Sequence, residues 1–371
     1  MSENNKQIKK EREHLTYFLL SKYRAELFGI SIILIMMFHF FHAVIQYTKP
    51  GGRKYFYSYI FCQVISSVGV EVFLLLSGMG LYFSYTRNKD VGSFFRKRFV
   101  RVLIPYAMYG SVAWFITDIV VAHKPFTRFL FDFSLFSFWI GGNTRLWFIS
   151  AIVVFYAFFP LFYEVVTSKH YKLNTLLLLA FLVLAMYVSD AEKHNTFKIA
   201  EIAVTRLPIF IFGILAGRLA YEKQRVKPWH IAVIVISLIV RVLSSVIAII
   251  GKFDTLPDDL KGINKLFGSI IGNRMESSLF SLGFIAVCIA LLALIKWKPL
   301  HSFLKTAGGV SLELYMTHVT VNGIIRAEGT LDICEPPVYL LSMVISVSAA
   351  VLLHIASGAV INKLTRSAPA S

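Results

Sequence analysis

Residues 27–46 read LFGISIILIMMFHFFHAVIQ, with no Lys, Arg, Asp or Glu among them. At 1.5 Å per residue such a run crosses ~30 Å of hydrocarbon as one helix. Two histidines, His39 and His42, are the only ionisable groups it holds. Comparable apolar runs follow at about 58–85, 99–122, 145–166, 173–189, 201–220, 229–250, 276–296, 306–326 and 337–361. The shorter apolar and aromatic segment 127–140 reads as a re-entrant or interfacial piece. The fold expected is all-α: a polytopic membrane protein of about ten transmembrane helices.

Composition agrees. Hydrophobic residues make up 56% of the 371 and charged residues only 16%, with a mean hydropathy of +0.65. The charges fall in short clusters between the runs, as loops between spans require. One membrane domain is expected over 27–361, with short tails at 1–26 and 362–371. The polar first 26 residues, with no small-residue cleavage site after the first run, point to a retained helix rather than a cleaved signal peptide.

The net charge of +17 would suggest nucleic acid in a soluble protein, but no soluble basic face exists to bind it. Placing the N-terminus inside puts 23 Lys and Arg on inner segments against 14 on outer ones. That excess predicts both termini in the cytoplasm and an even number of spans. The three cysteines, Cys62, Cys288 and Cys334, show neither metal spacing nor a disulfide framework. No metal is expected, and no internal repeat of the kind found in many transporters is visible.

Ionisable groups inside a bilayer are costly, so each needs a reason. His39 lies near the middle of the first span and Glu71 near the middle of the second. Sequential spans are commonly adjacent, which makes Glu71 the natural partner of His39. A carboxylate beside an imidazole fixes its tautomer and raises its basicity, as a general base requires. A helix-pairing ion pair, or a histidine bonded to a neighbouring helix, is the plainer alternative. Ser311, Tyr315, His318 and Asn322 are spaced to share one helix face, with His318 at the depth of His39. They line a cavity, or they join helices by hydrogen bonds.

Arg96, Arg98 and Arg101 stand at the inner mouth of the third span. Arg98 and Arg101 face one way and suit a polyanion such as the phosphates of coenzyme A, though a positive-inside cluster explains them as simply. Arg145 and Trp147 at the start of the fourth span, and Arg206 at the start of the sixth, fit an aromatic belt with snorkelling arginines.

Several stretches, in order, resemble acyltransferase family 3 of bacterial membrane O-acyltransferases. Residues 23–39 resemble the opening motif that leads to the histidine taken as catalytic, and 69–78 the second-helix motif with its acid. Arg98 and Arg101 with Pro105 resemble its RxxR and proline. Residues 146–148 with Tyr156 and Pro160, residues 206–210 with Gly213, and Ser311, Tyr315 and His318 are similar to its later helices. One departure stands out. Where the family commonly carries an arginine eleven residues before the histidine, this chain has Phe28, with Arg24 one turn earlier. No counterpart of the extracytoplasmic esterase-like domain of some members is expected.

The resemblance implies an O-acyltransferase of the bacterial cytoplasmic membrane. It would move an acyl group from acyl-CoA, acetyl-CoA first with succinyl as the alternative, to a hydroxyl of a surface polysaccharide or lipid-linked glycan. Arg98, Arg101 and Arg96 would hold the coenzyme, His39 would act as base with Glu71 orienting it, and Ser311, Tyr315 or His318 would serve the oxyanion. An exporter or flippase of a polysaccharide precursor is the rival, and it has no use for the inner arginines. A membrane sensor or scaffold is the third class, for which His39 and Glu71 would be dispensable.

Overall fold

The computed structural model describes residues 16–65, 68–191, 195–328 and 331–366. Of the two expected tails, residues 1–15 and 367–371 lie outside the described ones. In chain order the helices are α1 (Phe18–Lys22), α2 (Arg24–Tyr47), α3 (Arg53–Ile65), α4 (Val68–Arg87), α5 (Val91–Trp114, continued by a wider π-helical turn over Phe115–Val121), α6 (Phe126–Phe133), α7 (Phe136–Gly141), α8 (Trp147–Thr167) and α9 (Tyr171–Ala191). Then come α10 (Asn195–Val204), α11 (Leu207–Tyr221), α12 (Pro228–Phe253), α13 (Asp258–Gly268), α14 (Ile270–Leu294), α15 (Lys298–Gly309), α16 (Ser311–Glu328) and α17 (Pro336–Arg366). No strand occurs among the described residues; one isolated antiparallel bridge joins Thr16 to Arg225.

Among the described residues nine helical stretches are long and apolar enough to cross a membrane. The apolar run expected at 306–326 is divided at Val310 into α15 and α16. α16 is absent from the nine because the polar residues along it lower its hydropathy, yet Leu314, Tyr315 and Met316 are deeply buried in the bundle. The segment expected to be re-entrant forms α6 and α7, two short helices. Their inner residue Asp132 is tied to Arg128 at 2.8 Å and to the Asn143 amide at 2.9 Å. Burial works to raise the Asp132 pKa, but hydrogen bonds from Asn143 and Ser137 and the Arg128 charge outweigh it, and the carboxyl titrates below its usual value.

α4 is the central rod, with Leu74, Leu75 and Leu76 almost wholly enclosed. One side of it meets α2, where Ser31 Oγ donates to the Gly69 carbonyl at 2.7 Å. The other side meets α11. There Gly78 lies against the Phe210 carbonyl and Gly213 against the Leu75 carbonyl, so a Cβ at either position would strike backbone. Small residues at such crossings let helices in lipid approach closely enough to pack. By contrast α9 and α12 turn Leu176, Leu177, Phe181, Leu184, Ile236 and Leu243 outward. So large an apolar periphery is the surface expected against hydrocarbon rather than water.

Candidate active site

The end of the bundle where α2 begins is termed lower, and the end where it finishes upper. α16 runs parallel to α2 and in register with it. The His39 and His318 rings lie 5.2 Å apart at 56°, and eight residues higher on each helix the Arg326 guanidinium sits over the Tyr47 ring at 5.7 Å. Equal depth for the two histidines, expected from counting residues, is therefore what the structure shows.

His318 has a defined tautomer. Its Nδ1 lies 2.8 Å from the Leu314 carbonyl. A carbonyl only accepts, so Nδ1 carries the proton and Nε2 presents a lone pair in the neutral ring. That Nε2 is buried and has no hydrogen-bond partner. One turn below, the Tyr315 hydroxyl receives the N–H of Phe148 at 3.3 Å. This satisfies one of the donors that the start of α8 leaves open, and it leaves the Tyr315 proton free to be given elsewhere. Through Phe148 the site continues to Trp147, whose ring carries the Arg206 guanidinium at 5.1 Å.

Arg206 is also where Glu71 is found. Arg206 Nε and Glu71 Oε1 lie 3.1 Å apart, both nearly inaccessible. The expected pairing of Glu71 with His39 is thus replaced: Glu71 pairs with Arg206, and the ring beside His39 is His318. Helix phase gives the reason. Gly69 faces α2, and Glu71, two residues on, points ~200° away around the helix. It falls instead on the face of Gly78, seven residues later, which packs on α11. The spacing was a usable signal, since Glu71 and Gly78 on α4 match Arg206 and Gly213 on α11 at the same interval.

Other expected residues lie outside this centre. The Ser311 hydroxyl donates to the Gly308 carbonyl at 2.8 Å, closing the break between α15 and α16. Arg145 stacks over Trp114 at 5.0 Å with a buried, unpartnered Nη1. Arg96 is exposed and donates to the Leu364 carbonyl at 3.2 Å. It belongs to the contact of α5 with α17 rather than to a cluster with Arg98.

The lower end holds a second group. The Arg24 guanidinium lies over the Phe28 ring at 4.9 Å and its Nε donates to the Leu76 carbonyl at 3.2 Å. Gly80 makes room for it: a Cβ there would sit 2.7 Å from Arg24 Cζ. The charges of Arg98 and Arg101 act on Arg24, and all three act on Tyr156 between them. Among the described residues none of the three forms an ion pair, and Arg98 Nε is buried without a partner. Three cations converging with no carboxylate make a site for an anion with several oxygens. Phe28 occupies the place of the family's usual arginine, yet the Arg24 guanidinium stacked on it keeps that level of the bundle cationic.

A further buried pair joins two other spans. Arg241 Nη1 bonds Glu276 Oε2 at 2.5 Å, and Ser244 Oγ donates to Oε1 at 3.2 Å. Beside this pair opens a cleft of about 300 Å³ lined by Tyr59, Gln63, Asn264 and Asn273. Opposite charges in two neighbouring spans were the available signal.

These features define a polytopic membrane protein with a buried histidine pair at one level and a cluster of arginines below it. The sequence model of the family 3 acyltransferase domain matches residues 29–355, nearly the whole chain, and the chain belongs to that family. It is a membrane acyltransferase. No curated protein and no solved structure matches it.

Proposed function

We propose that the protein is an O-acyltransferase that draws an acyl group, acetyl first, from acyl-CoA at its lower end. It passes the group to a hydroxyl of a surface carbohydrate or lipid-linked precursor at the histidine pair. The lower end is the cytoplasmic one by the distribution of Lys and Arg, and the setting is the bacterial cytoplasmic membrane. One observation carries the reading: three guanidiniums with no ion pair among the described residues lie below a buried imidazole whose Nε2 has no partner there. Arg24 reaches the level of Phe28, eleven residues below His39, so ~16 Å of helix axis separates the two groups. An extended pantetheine arm bridges a gap of that order.

In this reading Arg24, Arg98 and Arg101 hold the coenzyme phosphates. His318, fixed by Leu314, offers Nε2 to an N–H of His39 and so turns the other His39 nitrogen toward the acceptor as a base. His39 takes the hydroxyl proton as the acceptor oxygen attacks the thioester carbonyl. The C–O bond forms, the C–S bond breaks, and the proton passes to the departing thiolate. The Tyr315 O–H donates to the oxyanion. Glu71 neutralises Arg206 and holds Trp147 beneath it.

The test is purified protein in lipid nanodiscs with labelled acetyl-CoA and bacterial surface polysaccharide. Thiol release and label transfer are expected together, and both should vanish in His39→Ala protein that still folds. Undiminished transfer in that variant would overturn the assignment.

A further inference from the structure

His318, Asn322 and Arg326 stand one turn apart on α16, and each presents a buried atom without a hydrogen-bond partner: Nε2, Oδ1 and Nε. His318 and Asn322 are 1% and 4% exposed. Each thus keeps along one stripe a buried polar atom that hydrogen bonding between helices does not use. They face the upper part of α2, where His39 and His42 stand, and the Arg326 charge acts on both histidines. Tyr339 of α17 closes the same side; its hydroxyl donates to the Met36 carbonyl and lies beside the Asn322 amide.

Arg326 has a charge to match. Its guanidinium lies over the Tyr47 ring at 5.7 Å. Among the described residues no carboxylate pairs with it. The acids of the nearby loop are engaged elsewhere: Glu335 pairs with Lys54 at 2.8 Å, and Asp332 accepts the Cys334 N–H at 2.8 Å. A partly buried cation at the mouth of a site, without a counter-ion among the described residues, is suited to an anionic ligand.

We infer that the acceptor of this acyltransferase is anionic, and that Arg326 binds its carboxylate or phosphate while the hydroxyl to be acylated lies at His39 and His318. Asn322 Oδ1 accepts a hydroxyl in between. The eight residues from His318 to Arg326 set the separation at ~12 Å along the helix, the length of a short oligosaccharide. The inference rests on the acyl-transfer reading, and it makes Arg326 a determinant of which acceptor is used.

The experiment compares three acceptors of matched length in nanodiscs of phosphatidylcholine alone: a neutral gluco-oligosaccharide, the same with a terminal glucuronate, and the same with a terminal phosphate. Wild-type protein should favour an anionic acceptor in kcat/KM by ~10–100-fold, the worth of one charge-assisted contact. The preference should collapse toward unity in Arg326→Gln and survive in part in Arg326→Lys. Whichever anionic acceptor is preferred identifies a uronate or a lipid-linked phosphate as the source. An equal rate on all three acceptors, or a preference unchanged in Arg326→Gln, overturns the inference while leaving acyl transfer intact. If adding phosphatidylglycerol abolishes a preference that Arg326→Gln leaves alone, the occupant is membrane lipid and the inference also fails. A second readout needs no turnover. The favoured oligosaccharide should raise the melting temperature of wild-type protein and not that of Arg326→Gln; equal shifts, or none, refute the anchor even where no transfer is seen.

Discussion

Helix α2 carries two polar regions on one rod, and they are opposite in kind. At the level of Phe28 the polar groups are donors: the guanidiniums of Arg24, Arg98 and Arg101, none of them in an ion pair among the described residues, with Arg98 Nε buried and unpartnered. At the level of His39 they include acceptors: the Nε2 of His318 and the Oδ1 of Asn322. A donor-rich site suits an anion, and an acceptor-rich site suits a proton or a hydroxyl. In the proposed reading the contrast orders the two substrates along the membrane normal, acyl donor low and acceptor high, with the reaction where they meet.

The largest expected effect breaks the upper region. His39→Ala should lower acceptor acylation by ~10²–10⁴-fold, the usual contribution of a positioned base. His318→Ala should cost less. It leaves the His39 ring in place but unoriented, so kcat should fall with little change in KM for acyl-CoA. Label transfer at saturating acetyl-CoA checks both, and equal losses in KM would show that the histidines only pack.

Next comes the ion pair that flanks this region. Replacing either Glu71 or Arg206 by a neutral residue strands its partner in a buried setting, at a cost of about 3–5 kcal/mol in stability. The double replacement Glu71→Gln with Arg206→Gln should recover a good part of that. Thermal unfolding in detergent measures it. If each single variant melts like wild type, the pair is not what holds α4 against α11.

The lower region is broken by Arg98→Gln with Arg101→Gln, which should raise KM for acyl-CoA by ~10–100-fold as charge-assisted contacts are lost. Acceptor preference should not move. A change in acceptor choice with unaltered KM for acyl-CoA would contradict the assignment of the two ends.

How much of this was legible in the sequence depended on whether one helix or two had to be read. The spans followed from apolar length. The level of His39 and His318 followed from counting residues along each helix. The nearness of Arg98 to Arg101 followed from their spacing. What failed needed the phase of one helix against another. Glu71 was assigned to α2 because the first two spans are sequential, but its direction was fixed by the glycines that seat α4 on α11. The spacing of Ser311 with Tyr315, His318 and Asn322 sets it on their face but does not show where the helix begins. The break at Val310 instead uses its hydroxyl to finish the preceding helix. The same polar stripe also hides α16 from a count based on hydropathy.

The smallest effect tests how the lower region was rebuilt around Phe28. A guanidinium normally expected at that position is supplied by Arg24, and Gly80 gives it space. Gly80→Ala should displace the flexible end of Arg24 rather than the backbone, so melting should change little while KM for acyl-CoA rises severalfold. Adding Arg24→Ala should then cost less than it does in the wild-type background, because the two changes remove one interaction. Arg24→Ala alone should raise KM for acyl-CoA by about tenfold. Combining it with Phe28→Arg should restore part of the loss by returning the charge to the same level from a different Cα. If the Phe28→Arg combination gives no recovery while the protein folds, the site needs the geometry set by Leu76 and Gly80, and not simply a cation at the level of Phe28.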